Sequence, residues 1–244
     1  MVRTRFAPSP TGDLHLGGAW TALASWALAK ASGGATVLRI EDIDTPRIVP
    51  GAAARIMRDL EWLGLTWDES PDNGGPHAPY TQSDPQALAR YCAILNDLDS
   101  QGLTYPCDCS RAEIAREASA PHEGEEIRYP GTCRNAPRGR TMKRPPAIRL
   151  RVPDSSEITF DDLIRGRITQ RVDRSVGDFV LRRGDGLIAY QLAVAIDDAA
   201  MGVSHVVRAD DLALSTPRQI LLMHLAGFSK SAIPSYAHVP MVLA

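Results

Sequence analysis

The sequence predicts an α/β protein, with helices covering a parallel sheet and a subdomain inserted between its two halves. Three observations carry this. The chain as far as Leu63 reads strand, helix, strand, helix, an order that favours a parallel sheet. The same rhythm returns after residue 184. Between the two, the texture changes to cysteines, short strand-like runs and a Pro/Arg-rich stretch at Asn135 to Pro146.

Thr4 to Ala7 suits a short buried strand, stopped by the turn formers Pro8-Ser9-Pro10-Thr11-Gly12-Asp13. From Leu16 to Ala31, the residues Trp20, Leu23, Ala24, Ala27 and Leu28 recur at helical spacing, and Ser32-Gly33-Gly34 ends the run. Thr36 to Ile40 is β-branched and leads into an acidic loop, after which Ala52 to Leu63 again has helical period. Ligands of such folds bind beyond the carboxyl ends of the strands, where both early loops lie. Asp84 to Leu98 reads as a helix capped near Ser83, and Leu103 to Tyr105 as a strand. The insertion runs from about Cys107 to about Arg183 and holds a strand at Ala147 to Val152. Beyond it come a strand at Leu187 to Tyr190, a helix at Gln191 to Met201, a strand at His205 to Arg208, a helix at Thr216 to Ala226 and a strand from Ala237. The expected blocks are 1–106, 107–183 and 184–244.

At 244 residues, 44% of them hydrophobic, the chain can bury a sizeable core. A formal charge of -2 excludes wholesale attraction to polyanions and leaves room for a local basic stripe. Four unevenly spaced cysteines are no disulfide scaffold, so they read as ligands or core thiols in a reducing compartment. Met1 to Phe6 lacks a leader's apolar run, and no stretch approaches the roughly 20 apolar residues that span a bilayer. The expectation is a cytoplasmic protein without membrane contact.

Between the first strand and the first helix lies Arg5-Phe6-Ala7-Pro8-Ser9-Pro10-Thr11-Gly12-Asp13-Leu14-His15-Leu16-Gly17-Gly18. A His followed by glycines at a helix N-terminus suits phosphate, because free N–H groups and the helix dipole attract anions. By itself His15 reads rather as a capping or surface residue. Glu41, Asp42 and Asp44 invite a metal site, or simply a solvated strand end. Arg5 in a buried strand needs either an internal acid or an anionic ligand. Tyr190 alone is an ordinary core aromatic.

The fourteen-residue segment resembles the HIGH signature of class I aminoacyl-tRNA synthetases in its glutamate-activating form, with Gly18 where the motif has its last His. The resemblance implies a Rossmann-type catalytic domain and catalysis by positioned donors, with no covalent nucleophile from the protein. It implies that His15 steadies charge on the α-phosphate, and that His15, Gly17 and Gly18 meet ATP. It further implies that Glu41 holds the amino group of glutamate, that Arg5 and Arg208 recognise its side-chain carboxylate, and that Ala7, Ser9 and Tyr190 complete the pocket. Guanidinium forks suit carboxylates, and a carboxylate suits an ammonium.

Cys107, Cys109 and Cys133 supply three thiolates for a tetrahedral zinc, while Cys92 stands apart. His122, Tyr129 and water are the candidate fourth ligands, and imidazole is the commoner chemistry. The short branch of the glutamate-activating group, the glutamyl-queuosine tRNA(Asp) synthetases, is similar in carrying Cys-x-Cys followed by Tyr-x-x-x-Cys. That resemblance implies a structural Zn²⁺ held by Cys107, Cys109, Tyr129 and Cys133.

The same branch implies the reaction: L-glutamate and ATP with Mg²⁺ form an adenylate, and glutamate passes to queuosine in the anticodon loop of tRNA(Asp). A monomer is expected. Rival expectations are a tRNA(Glu)-charging enzyme and a non-catalytic RNA- or glutamate-binding paralogue. A KMSKS-like lysine loop is expected beyond Ala244, after the phrase Ser235 to Leu243. Ser229-Lys230-Ser231 and Lys143 stand in the wrong place for it and read as surface. Arg134, Arg138, Arg140, Lys143, Arg144, Arg165, Arg167, Arg171 and Arg174 suit a phosphate backbone or a solvated face equally.

Overall fold

The computed structural model describes residues 1–117, 127–137 and 139–242. In chain order the strands of its main sheet are β1 (Arg3–Phe6), β2 (Ala35–Leu38), β5 (Glu157–Asp162), β6 (Gly166–Arg171), β8 (His205–Ala209) and β9 (Ser235–Val239). They lie in the order β2-β1-β8-β9-β5-β6. All neighbours are parallel except the β5–β6 hairpin. A second, antiparallel sheet joins β3 (Thr104–Cys107), β4 (Ala147–Leu150) and β7 (Val180–Arg182) in the order β3-β4-β7.

The helices are α1 (Leu16–Ala31), α2 (Ala52–Trp62), α3 (Pro85–Ser100), α4 (Arg111–Glu117), α5 (Val172–Ser175), α6 (Tyr190–Ala200) and α7 (Thr216–Leu225). The first helix has the expected bounds, but its most buried face is not the apolar stripe of the sequence. Thr21, Ala22, Ser25 and Ala29 are buried, while Trp20 and Leu23 are exposed. Small residues admit the helix close to the sheet, and hydroxyls join the two. Ser25 Oγ donates to the Arg5 carbonyl at 2.9 Å, and Thr4 Oγ1 donates to the Ser25 carbonyl at 3.0 Å.

One expectation is corrected. Leu187 to Tyr190 is not a strand: the chain turns at Gly186, Ile188 makes only an isolated bridge to Arg182, and Tyr190 opens α6. The β5–β6 hairpin, within the stretch 107–183, is hydrogen-bonded to the main sheet through Asp162 and Tyr236. Ile158, Val172, Phe179 and Leu181 from that stretch pack in the same core as Leu192, Val206 and Leu222. A separate small cluster holds Tyr105, Cys107, Tyr129 and Cys133.

Candidate active site

Because the central strands are parallel, their carboxyl ends share one edge. A cleft of about 760 Å³ opens there, lined by Arg5, Ala7, Ser9, His15, Gly17, Gly18, Glu41, Tyr190 and Arg208. Every residue assigned in the sequence to ATP or glutamate therefore faces one cavity. Five parts of the chain place them: β1 and its loop, the start of α1, the exit of β2, the start of α6, and β8.

At the mouth, His15 is the N-cap of α1, and its Nδ1 accepts the Gly18 N–H at 3.1 Å. In the neutral ring the proton then sits on Nε2, which makes that atom a donor. A Cβ on Gly17 would lie 3.2 Å from the imidazole, and one on Gly18 would lie 3.0 Å from Leu14. The glycines thus let the ring lie over the first helical turn, beside the unpaired N–H groups that attract anions.

Deeper in, the floor is a buried ion network. Arg5 Nε donates to Asp198 Oδ1 at 3.2 Å, so Arg5 has the internal acid its burial demands while also lining the cleft. Arg39, wholly buried, donates to Asp198 Oδ1 at 2.8 Å and to Glu41 Oε1 at 2.9 Å, and lies 3.7 Å from Asp197. Tyr91 and Gln82 donate to Asp197 Oδ2 at 2.7 and 2.9 Å. Burial pushes Glu41 and Asp197 up despite Arg39, whereas for Asp198 the charges of Arg5 and Arg39 outweigh burial and hold its carboxyl down. Burial and the Glu41 charge push the Tyr190 phenol up. Sequence reasoning missed Arg39, Asp197 and Asp198. The available signal was a pair of adjacent acids in the otherwise apolar helix α6, which needs cations.

Arg208 differs from Arg5 and Arg39, which meet carboxylates. Its guanidinium is buried and donates to His238 Nε2 at 3.1 Å, Gln219 Oε1 at 2.9 Å, Thr216 Oγ1 at 2.7 Å and the Leu212 carbonyl at 3.4 Å. All four acceptors are neutral or carry no formal anion. Among the described residues no carboxylate lies within 4 Å of it, so an undischarged cation faces the cleft.

The acidic loop is not a metal site. Asp42 accepts the Ser83 N–H and hydroxyl at 2.8 and 2.6 Å, and Asp44 accepts Arg183 at 2.8 Å, so the three carboxylates turn to three different partners. Several of the basic residues are also paired: Arg134 with Asp178, Arg140 with Asp108, Arg144 with Glu113, Arg165 with Asp210 and Arg171 with Asp173. Arg138 lies outside the described residues. Ser229, Lys230 and Ser231 are exposed, in and before a short 3-10 turn, and Lys143 reaches Glu113, away from the cleft.

The cysteine cluster meets the geometric demands of zinc. The Sγ atoms of Cys107, Cys109 and Cys133 lie within 4.8 Å of one another, and the Cys109–Cys133 separation is 3.5 Å. A tetrahedral ion with metal–sulfur bonds of about 2.3 Å spaces its sulfur ligands roughly 3.8 Å apart. The Tyr129 oxygen lies beside the thiols, 3.3 Å from Cys107 Sγ and 3.8 Å from Cys109 Sγ. Its position is fixed by the Cys133 N–H, which donates to it at 2.8 Å, and by Arg149, whose guanidinium carbon lies 3.8 Å from the ring centroid. His122 lies outside the described residues.

A family profile described as "tRNA synthetases class I (E and Q), catalytic domain" matches residues 1–244. The Glutamyl-Q tRNA(Asp) synthetase of Cupriavidus metallidurans is 51% identical over 244 residues, covering 99% of this chain and 74% of that protein. That of Nitratidesulfovibrio vulgaris is 48% identical over 249 residues, covering 100% of this chain and 75% of that protein. The crystal structure of the glutamate-tRNA synthetase from Elizabethkingia anophelis is similar with a TM-score of 0.84 at 34% identity, covering 99% of this chain and 50% of that one. With the cleft, its cation and its helix N-terminus already in view, these matches make the chain an enzyme of the class I synthetases for glutamate and glutamine, in the branch of the glutamyl-Q tRNA(Asp) synthetases.

Proposed function

We propose that this chain activates L-glutamate with ATP and Mg²⁺ and transfers it to queuosine in the anticodon loop of tRNA(Asp), acting as a monomer in the cytoplasm. The observation that carries the amino-acid choice is Arg208, a buried cation in the cleft with neutral neighbours. An acidic side chain is the ligand that discharges it.

In this reading the glutamate side-chain carboxylate lies between the remaining N–H donors of Arg208 and Arg5. Tyr190 walls the pocket, and Ala7 and Ser9 present backbone and hydroxyl groups. Glu41 accepts the α-ammonium. That orientation turns the α-carboxylate toward the N-terminus of α1, where ATP enters with its α-phosphate against His15 Nε2–H and the Gly17–Gly18 turn. Attack of the carboxylate oxygen on the α-phosphorus forms the adenylate and expels pyrophosphate. Negative charge grows on the phosphoryl oxygens, and His15 and the helix N–H groups are already aimed at it. A queuosine hydroxyl then attacks the acyl carbon and releases AMP. Cys107, Cys109, Tyr129 and Cys133 would hold a structural Zn²⁺, tying the end of β3 to the 127–137 segment. Residues 107–183 form the inserted block, and its β5–β6 hairpin ties it to the catalytic sheet.

The reading is tested with the full-length gene product by glutamate-dependent ATP–pyrophosphate exchange without tRNA, followed by transfer of labelled glutamate to purified tRNAs. Exchange without tRNA and labelling of queuosine-bearing tRNA(Asp) are expected. Labelling of tRNA(Glu) alone would sink the queuosine assignment, and absence of exchange would sink independent activation.

A further inference from the structure

We infer that His238 is a positioning residue for substrate selection: anchored by Asp162, it offers Arg208 a neutral acceptor, so the guanidinium is fixed but not discharged. The inference rests on the glutamate reading of the cleft. Arg208 and His238 are direct register partners on the parallel strands β8 and β9, and Asp162 closes the adjoining strand β5. All three are almost wholly buried, at 3%, 1% and 3% exposed.

The direction of each hydrogen bond follows from chemistry. Arginine only donates, so the 3.1 Å contact from Arg208 Nε requires a lone pair on His238 Nε2. The ring proton must therefore sit on Nδ1, which faces Asp162 Oδ2 at 2.6 Å. Asp162 is itself fixed, because it accepts the backbone N–H groups of Ile164, Arg165 and His238 at 3.0, 2.9 and 3.2 Å. Burial and the Arg208 charge both disfavour a second proton on the imidazole, and they outweigh Asp162. A carboxylate in place of the ring would orient Arg208 equally well but would neutralise it. Thr216 and Gln219 also meet Arg208 through neutral oxygens. The full charge is thereby kept for the ligand, which favours an acidic side chain over its amide.

Asparagine and glutamine separate the two jobs of the ring. The amide of His238→Asn falls where Nδ1 was, so it keeps Asp162 and leaves Arg208 Nε without its acceptor. The amide of His238→Gln reaches the position of Nε2, so it keeps the acceptor and loses Asp162. Calorimetric titration of the full-length protein with L-glutamate, L-glutamine and ATP reads the outcome. H238N should weaken glutamate by about tenfold or more and shrink its preference over glutamine, with ATP unchanged, whereas H238Q should lose less than about threefold. Wild-type glutamate affinity in folded H238N, or equal losses in both variants, would overturn the inference alone. A wild-type protein that binds no glutamate would overturn the pocket reading and this inference together. Should H238N not fold, ¹⁵N imidazole shifts of the wild type decide: the Nδ1–H tautomer at neutral pH is expected, and an Nε2–H ring or an imidazolium refutes the role.

Discussion

Arg39 and Glu41 meet at 2.9 Å with side chains 0% and 5% exposed, a guanidinium–carboxylate pair sealed under the cleft. Arg39 also holds Asp198 at 2.8 Å and lies near Asp197, so a single cation serves three buried acids. Removing one partner of such a network leaves charge buried and uncompensated, which is far costlier than never having built it. Arg39→Met should therefore destabilise the fold by about 3–5 kcal/mol. Urea denaturation would show this as a lower midpoint at unchanged slope, and an unchanged midpoint would refute the network's role.

Glu41 makes a pH-dependent claim. Burial raises its folded pKa above the unfolded value, more than Arg39 and Arg5 lower it. The raised acid contributes stability in full below the unfolded value, and that contribution is lost as pH rises through the folded value. Glu41→Gln has no such proton, so its stability should gain on the wild type as pH is raised from about 4 to about 7. Glutamate affinity should fall at least about tenfold in the same variant, because the α-ammonium loses its anion. Urea midpoints at the two pH values, with one calorimetric titration, check both. A gain on acidification would contradict the sign.

Local order was easy to read and long-range pairing was not. The bounds of α1 follow from a block of turn formers before it and Gly33-Gly34 after it, and strand β1 follows from its position ahead of that block. The β5–β6 hairpin gave only a weak alternation, exposed and buried by turns, and its partner β9 lies far along the chain, at the Asp162–Tyr236 pairing. The site shows the same division. The residues that the resemblance assigns to ATP and glutamate converge on one cleft, whereas Asp162, His238, Asp197 and Asp198 gain their meaning only from partners far away in sequence. Arg5 shows why one chain position has two readings: its side chain both satisfies Asp198 and borders the cavity.

The cysteine cluster predicts one bound zinc per chain. Metal analysis of the purified protein should find it, and Cys107→Ser with Cys133→Ser should abolish it. Tyr129→Phe removes only the oxygen proposed as the fourth ligand, which also accepts the Cys133 N–H. Three thiolates and water remain as ligands, so Y129F should keep the metal with affinity lowered by about tenfold or more, read by chelator competition. Because the cluster holds the end of β3 against the 127–137 segment, chelation should also lower the melting temperature. Full zinc affinity in Y129F would remove the tyrosine from the ligand set.

His15 separates binding from chemistry. It is exposed at the start of α1, accepts the Gly18 N–H, and lies apart from the buried ions that would hold glutamate. In the proposed reaction its Nε2–H is one of several donors for the α-phosphate, and its worth is greatest when charge accumulates there in the transition state. His15→Ala should thus lower the rate of pyrophosphate exchange by about 10²–10³-fold while leaving glutamate affinity within about twofold. His15→Asn, whose side-chain oxygen can still cap α1, separates the capping role from the catalytic one. If H15N recovers the rate, the imidazole acts only through the helix cap. If H15N restores thermal stability and not the rate, the proton on Nε2 is what the reaction uses.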